Sequence, residues 1–142
     1  MSQTFQYRRR VEFRDTDMAG IVHFSVFFAY MEEAEHELLR SVGLGVFLEL
    51  DGERYSWPRV SAHCDFHKPA RYQDLLEIST CISRIGRSSL TFQHEFHCRG
   101  AHLASGSITT VCCMVAADHK LQASATPHHV VEALKRYLKD EA

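Results

Sequence analysis

The sequence predicts an α+β domain: an antiparallel five-stranded sheet wrapped around one long helix, with a short C-terminal helix beside it. Three observations predict this. Apolar residues alternate with polar ones from Phe5 to Phe13. The spacing then changes to three and four residues between Ser25 and Val42. Four further strand-like stretches, joined by short turns, follow before a last helical stripe. Period two marks a half-buried strand and the three-and-four period an amphipathic helix. Consecutive strands with short connections pair antiparallel. A single helix inserted after the first strand buries its apolar face best on the concave side of that sheet. At 142 residues the chain suits one domain, spanning 1–142.

Each element has its own signal. In the first strand Phe5, Tyr7, Val11 and Phe13 share one face, against Gln6, Arg8, Arg10 and Glu12. The stretch from Arg14 to His23 has no stable period and reads as an ordered loop. Phe27, Met31, Ala34, Leu38 and Val42 form the helical stripe, with Ser25 as the predicted N-cap and Gly43 as the predicted C′ residue. Gly45 to Ser56 reads as a mixed loop. The next strand, with Val60, Ala62, Cys64 and Phe66 on one face, stops at Lys68-Pro69, since proline breaks a central ladder. Strands are then predicted from Leu75 to about Ile85, around Leu90 to Cys98, and from Leu103 to Ala117. At the end Thr126 is the predicted cap and Pro127 the first helical residue, followed by the stripe Val130, Leu134 and Leu138.

Composition excludes several classes of function. Apolar residues at 45% and charged residues at 24% sit near the globular average, so the chain is not disordered. A net charge of −2 gives no general attraction to nucleic acid or an anionic membrane. No apolar run reaches the ~18 residues of a membrane span, and the polar N-terminus lacks the apolar segment of a signal peptide. The five cysteines are odd in number, form no CxxC pair and lie in apolar stretches. They predict reduced core thiols and a cytoplasmic setting.

The ten histidines raise the question of metal or acid–base chemistry. Spacing answers most of it. His36-Glu37 is followed by Arg40, so HExxH is absent. His63 and His67 share a strand face but stand about 13 Å apart. His94 and His97 point to opposite faces. No metal site is expected, since such sites need three or four converging ligands. GxSxG, GxGxxG and P-loop patterns are also absent.

The segment Asp15 to His23 is the richest in chemistry. It leads into the N-terminus of the long helix, where free N–H groups and a partial positive charge favour an oxyanion. An aspartate just upstream can attack a carbonyl or activate water. The same residues also fit a plainer role, in which Asp15 or Asp17 bonds loop amides.

The stretch Phe13-Arg14-Asp15-Thr16-Asp17-Met18-Ala19-Gly20-Ile21-Val22, followed by an aromatic helix with Met31-Glu32-Glu33-Ala34, resembles the signature of the 4-hydroxybenzoyl-CoA thioesterase family. Phe66-His67-Lys68-Pro69-Ala70-Arg71-Tyr72-Gln73-Asp74 and the hairpin Ile85-Gly86-Arg87-Ser88-Ser89 are similar to that family too. The resemblance implies a hotdog fold and an acyl-CoA thioesterase, with coenzyme A entering as part of the substrate and no separate cofactor. It implies that Asp17 is the catalytic carboxylate, as nucleophile or general base, while Asp15 organises the loop. Amides around His23 and Phe24 would polarise the carbonyl, and Arg84, Arg87 and Ser88 would face the coenzyme A phosphates. It also implies a homodimer or homotetramer with the site at the subunit interface. Two positions depart from the family pattern. The histidine stands one place early in His23-Phe24, and Glu35 replaces an arginine common in relatives; both bear on acyl preference. Phe24, Phe27, Phe28, Phe47 and Trp57 are the candidate acyl-pocket residues. A hotdog hydroxyacyl-thioester dehydratase and a non-catalytic acyl-CoA-binding protein are the alternatives.

Overall fold

Alternation along the strands sets the larger sheet. A computed structural model describes residues 2–140. Five strands, β1 (Phe5–Arg10), β4 (Arg59–Phe66), β5 (Leu75–Ile85), β6 (Ser89–Cys98) and β7 (Ala101–Val111), pair antiparallel in the order β1-β5-β6-β7-β4. In β6 every second residue is buried: Leu90, Phe92, His94, Phe96 and Cys98. The long helix α1 (Val26–Ser41) lies on this face and buries Phe27, Tyr30, Met31, Ala34 and Leu38. Helix and sheet meet closely at Gly106 of β7, where a Cβ would collide with the Met31 side chain.

The ends of α1 follow the sequence only in part. Gly43 takes φ +77°; its N–H bonds Arg40 O at 3.1 Å, and Leu44 N–H bonds Leu39 O at 2.8 Å. That is the Schellman closure expected of a C′ glycine. Ser25 is not the predicted side-chain cap. Its backbone is already helical, and its Oγ lies 2.7 Å from His23 Nδ1. The last helix, α2 (His128–Leu134), starts one residue late, with Pro127 as N-cap and no side-chain cap from Thr126. The Pro127 carbonyl accepts the N–H groups of Val130 and Val131.

The segment read as a mixed loop is a hairpin of β2 (Phe47–Leu50) and β3 (Glu53–Ser56). Its turn is Asp51-Gly52, both at positive φ, and Asp-Gly is a strong two-residue hairpin signal. The predicted strand from Leu103 to Ala117 is likewise two. It stops at Cys112, whose N–H turns to Ser88 O, and resumes as β8 (Cys113–Val115), which pairs with β9 (Leu121–Ala123). These short strands form a second sheet, β2-β3-β8-β9.

Both edges of the larger sheet bear on function. The β1 edge carries Arg8, Arg9 and Arg10, and such charges discourage pairing with another chain. The β4 edge exposes Val60 (62%) and Phe66 (47%) instead. Away from these edges the two ends of the described chain meet. Gln3 N–H bonds Arg136 O at 2.7 Å, and Ser2 N lies 3.3 Å from Asp140 Oδ2. All five cysteines are free. Burial raises the thiols of Cys64 and Cys112 to about 11, which keeps both in the protonated form near neutral pH.

Candidate active site

Two aspartates two residues apart do different work. Asp15 is buried, and its Oδ2 accepts the Tyr30 hydroxyl at 2.8 Å and the Glu12 N–H at 2.9 Å, with Arg9 Nη1 at 3.5 Å. Its carbonyl also accepts the His23 N–H at 3.0 Å. Asp15 thus ties β1, the loop and α1 together. Burial, and then the Asp15 bond, push the Tyr30 phenol far up, so it stays a neutral donor.

Asp17 is half-buried. Its Oδ1 accepts the Ala19 N–H at 2.9 Å, and Gly20, at φ +80°, closes the turn by donating to Asp17 O at 2.9 Å. Its Oδ2 has no hydrogen-bond partner among the described residues. One oxygen therefore fixes the carboxylate, as the plainer reading of the loop anticipates, and the other is left unpaired.

The loop is pinned over the start of β5's approach. Val22 N–H bonds Ala70 O at 2.8 Å, and Ile21 bridges to Arg71. This brings together the two motif stretches that stand far apart in sequence. Between them lies an open cleft of about 460 Å³, lined by Asp17, Phe24, Phe27, Phe66, His67 and Lys68 among others. Phe27 and Phe66 meet edge-to-face at 5.3 Å.

The predicted site residues separate on this geometry. Phe24 lines the cleft, and its N–H is unbonded among the described residues. His23 stands apart: its N–H bonds the Asp15 carbonyl, its ring bonds Ser25, and it is not part of the cleft lining. Arg84, Arg87 and Ser88 sit at the far end of β5, an 11-residue strand, about 33 Å from the Asp17 end. One chain does not bring them to Asp17. Lys68 is in the cleft.

The aromatic residues also divide. Phe24 and Phe27 face the Asp17 cleft, Phe28 packs against the core, and Phe47 and Trp57 line a different cavity between α1, the β2–β3 hairpin and α2. That cavity was not legible in sequence, because it depends on the hairpin. Among the described residues no three His, Cys, Asp or Glu side chains converge as a metal site. His94, buried beneath α1, bonds Thr80 Oγ1 at 2.8 Å, and burial pulls its imidazole down to about 3.

Comparison with known proteins now has a geometry to attach to. The family model described as "Thioesterase superfamily" matches residues 19–105, the span from the Asp17 turn into β7. The chain belongs to the thioesterase superfamily. It is 29% identical over 133 residues to the acyl-CoA thioester hydrolase YbgC of Escherichia coli, covering 93% of this chain and 96% of that one. It is 32% identical over 108 residues to the 1,4-dihydroxy-2-naphthoyl-CoA hydrolase of Parasynechococcus marenigrum, covering 70% of each. Among solved structures, the BH1999 gentisyl-coenzyme A thioesterase superposes with a TM-score of 0.78 at 32% identity, covering 91% of this chain and 98% of that one. The hotdog arrangement of this superfamily, a sheet wrapped on one long helix, is the one seen here.

Proposed function

We propose that this thioesterase-superfamily chain hydrolyses the thioester bond of an aryl- or short acyl-CoA. One observation carries the reading: Asp17 keeps a free carboxylate oxygen in the same cleft as the unbonded Phe24 N–H at the start of α1. The thioester carbonyl accepts the Phe24 N–H and lies in the positive field of the helix N-terminus. As general base, Asp17 takes a proton from water while the hydroxide adds to the carbonyl carbon. The tetrahedral oxyanion collapses, the C–S bond breaks, and the thiolate of coenzyme A leaves and takes up the proton. As nucleophile, Asp17 forms an acyl-aspartyl anhydride that water then cleaves, with the same products. No step passes through a metal or redox cofactor; coenzyme A enters as substrate. The names of the relatives support this substrate class.

The assembly belongs to the same reading. The exposed β4 edge suits antiparallel pairing with a second copy about Ala62 and His63. That two-fold pairing sets Arg59 of one copy opposite Phe66 of the other. It also carries the second copy's Arg84, Arg87 and Ser88 toward the first copy's Asp17 end, where they would meet the coenzyme A phosphates. The site is then at the subunit interface of a homodimer, and two dimers form a homotetramer if the mass in solution is fourfold. The free thiols fit a cytoplasmic setting.

Asp17→Asn, assayed for thiol release on a panel of aryl- and alkyl-CoA thioesters, tests the chemistry. The rate falls by about 10²–10⁴-fold; a variant as fast as wild type sinks the assignment. A 3-hydroxyacyl-CoA in the panel checks the dehydratase alternative, for which His67 is the imidazole in the cleft. Loss of water from it, without thiol release, would select that chemistry. Binding without turnover of any thioester would select the binding-protein alternative.

A further inference from the structure

Phe24 stands two residues ahead of α1, so the place of that helix along its own axis sets where the Phe24 N–H points. The first half of α1 carries two polar side chains that reach β1 and its loop. They are Tyr30 and Glu33, three positions apart and therefore neighbours on one helix face. Tyr30 is fully buried, and its hydroxyl donates to Asp15 Oδ2 at 2.8 Å. Glu33 Oε1 accepts Arg9 Nε at 2.8 Å and the Tyr7 hydroxyl at 3.1 Å. Arg9 is half-buried, unlike its exposed neighbours Arg8 and Arg10. Its guanidinium lies 5.1 Å from the centre of the Tyr30 ring. Its Nη1 donates to the Arg10 carbonyl and stands 3.5 Å from Asp15 Oδ2.

These contacts form one connected network across the gap between α1 and β1. A slide of α1 along its axis would stretch the Tyr30 and Glu33 bonds together. It would leave the carboxylate of Asp15 and the guanidinium of Arg9 short of partners away from water, which is costly. Asp15 links the network to the site a second time, because its carbonyl accepts the His23 N–H at 3.0 Å and His23 immediately precedes Phe24. The Asp17 turn is held by different bonds, from Asp17 N–H to Ile21 O at 2.9 Å and from Val22 N–H to Ala70 O at 2.8 Å. The network therefore acts on the amide and not on the carboxylate. None of Tyr7, Arg9, Tyr30 and Glu33 lines the Asp17 cleft, so none meets the substrate there.

We infer that Tyr30 and the Glu33–Arg9 pair are positioning residues: they fix the axial place of α1 and, through the Asp15 carbonyl and His23, hold the Phe24 N–H where the thioester oxygen gains its charge. This rests on the thioesterase reading above. A misplacement of about 1 Å at such a site costs on the order of 10²-fold in rate.

Tyr30→Phe removes one hydroxyl and keeps the ring. It lowers kcat for thiol release by about 10–10²-fold and leaves KM unchanged, because alignment of the donor counts only in the transition state. In a Phe24→Pro background the same change costs no further factor, since the donor it aligns is gone; a packing role would cost the same in both backgrounds. Glu33→Gln keeps the oxygen that accepts Arg9 and Tyr7 and retains most of the rate, whereas Glu33→Leu falls as Tyr30→Phe does. Amide hydrogen exchange read by NMR needs no turnover. His23 N–H exchanges about tenfold faster in Tyr30→Phe and in Glu33→Leu than in wild type, while the β6 amides hold their rates. Should Phe24→Pro misfold, this exchange decides. Equal losses in the two backgrounds, a raised KM with kcat unchanged, or His23 exchange that neither variant alters overturns the inference. A wild type that releases thiol from no acyl-CoA, while His23 exchange still responds to Tyr30→Phe, overturns the thioesterase reading and not the network.

Discussion

At the residue scale, the proposed mechanism divides the work between the Asp17 side chain and the Phe24 backbone amide. A side-chain change at Phe24 therefore separates from an amide change. Phe24→Ala keeps the N–H, while Phe24→Pro deletes it. Loss of one oxyanion donor costs about 10²–10³ in kcat. The expected order in steady-state kinetics is wild type, then Phe24→Ala, then Phe24→Pro lower by that factor; equal rates for the two variants would remove the amide from the mechanism. His94 gives a second residue-scale outcome. Its pKa falls from 6.5 in the unfolded chain to about 3 in the fold. Below 6.5 the unfolded chain binds the extra proton, so the stability present above that pH is lost as pH drops toward about 3. The loss is at most about 1.4 kcal/mol per pH unit. Urea unfolding between pH 7 and 4 measures it, and His94→Leu flattens the slope.

Legibility also varies residue by residue. The closeness of Asp15, Asp17 and Phe24 was readable because they lie within one short motif leading into a helix. Sequence cannot show that the His23 amide is taken by the Asp15 carbonyl, or its ring by Ser25. Lys68 and Phe66 join the site only through the bonds from Ile21 and Val22 to Ala70 and Arg71, which are contacts of tertiary structure.

At the element scale, α1 and the five long strands were legible because each has enough residues to display a period. β8 and β9, three residues each, do not. The β2–β3 hairpin had a readable turn in Asp51-Gly52, but its strands, four residues each and mostly exposed, carry too little apolar alternation to stand out. The contact of α1 with the sheet depends on Gly106. Gly106→Ala drives a methyl group into Met31 and to 3.1 Å from His63 O. Overpacking of this kind costs about 1–3 kcal/mol. Thermal unfolding reads the loss, and an unchanged Tm would show that Met31 yields freely.

At the scale of the whole molecule, the five-stranded sheet has one edge guarded by arginines and one, β4, that exposes Val60 and Phe66 beside His63 and Asp65. Val60→Lys places a charge on the open edge, a device that blocks edge pairing. Light scattering after size exclusion is expected to show the mass move from dimer or tetramer toward monomer. Activity falls with it, because Arg84 and Arg87 then lie only at the wrong end of their own sheet. A Val60→Lys protein that stays assembled and active would place the interface elsewhere.

The meeting of Ser2 with Asp140, and of Gln3 with Arg136, has a practical meaning of another kind. The described chain is nearly a closed ring. A short peptide bridging those ends closes a loop of small entropic cost, and new ends can be opened at the Asp51-Gly52 turn. Such a permuted gene would present its fusion point beside the hairpin, leaving the Asp17 turn and the β4 edge undisturbed.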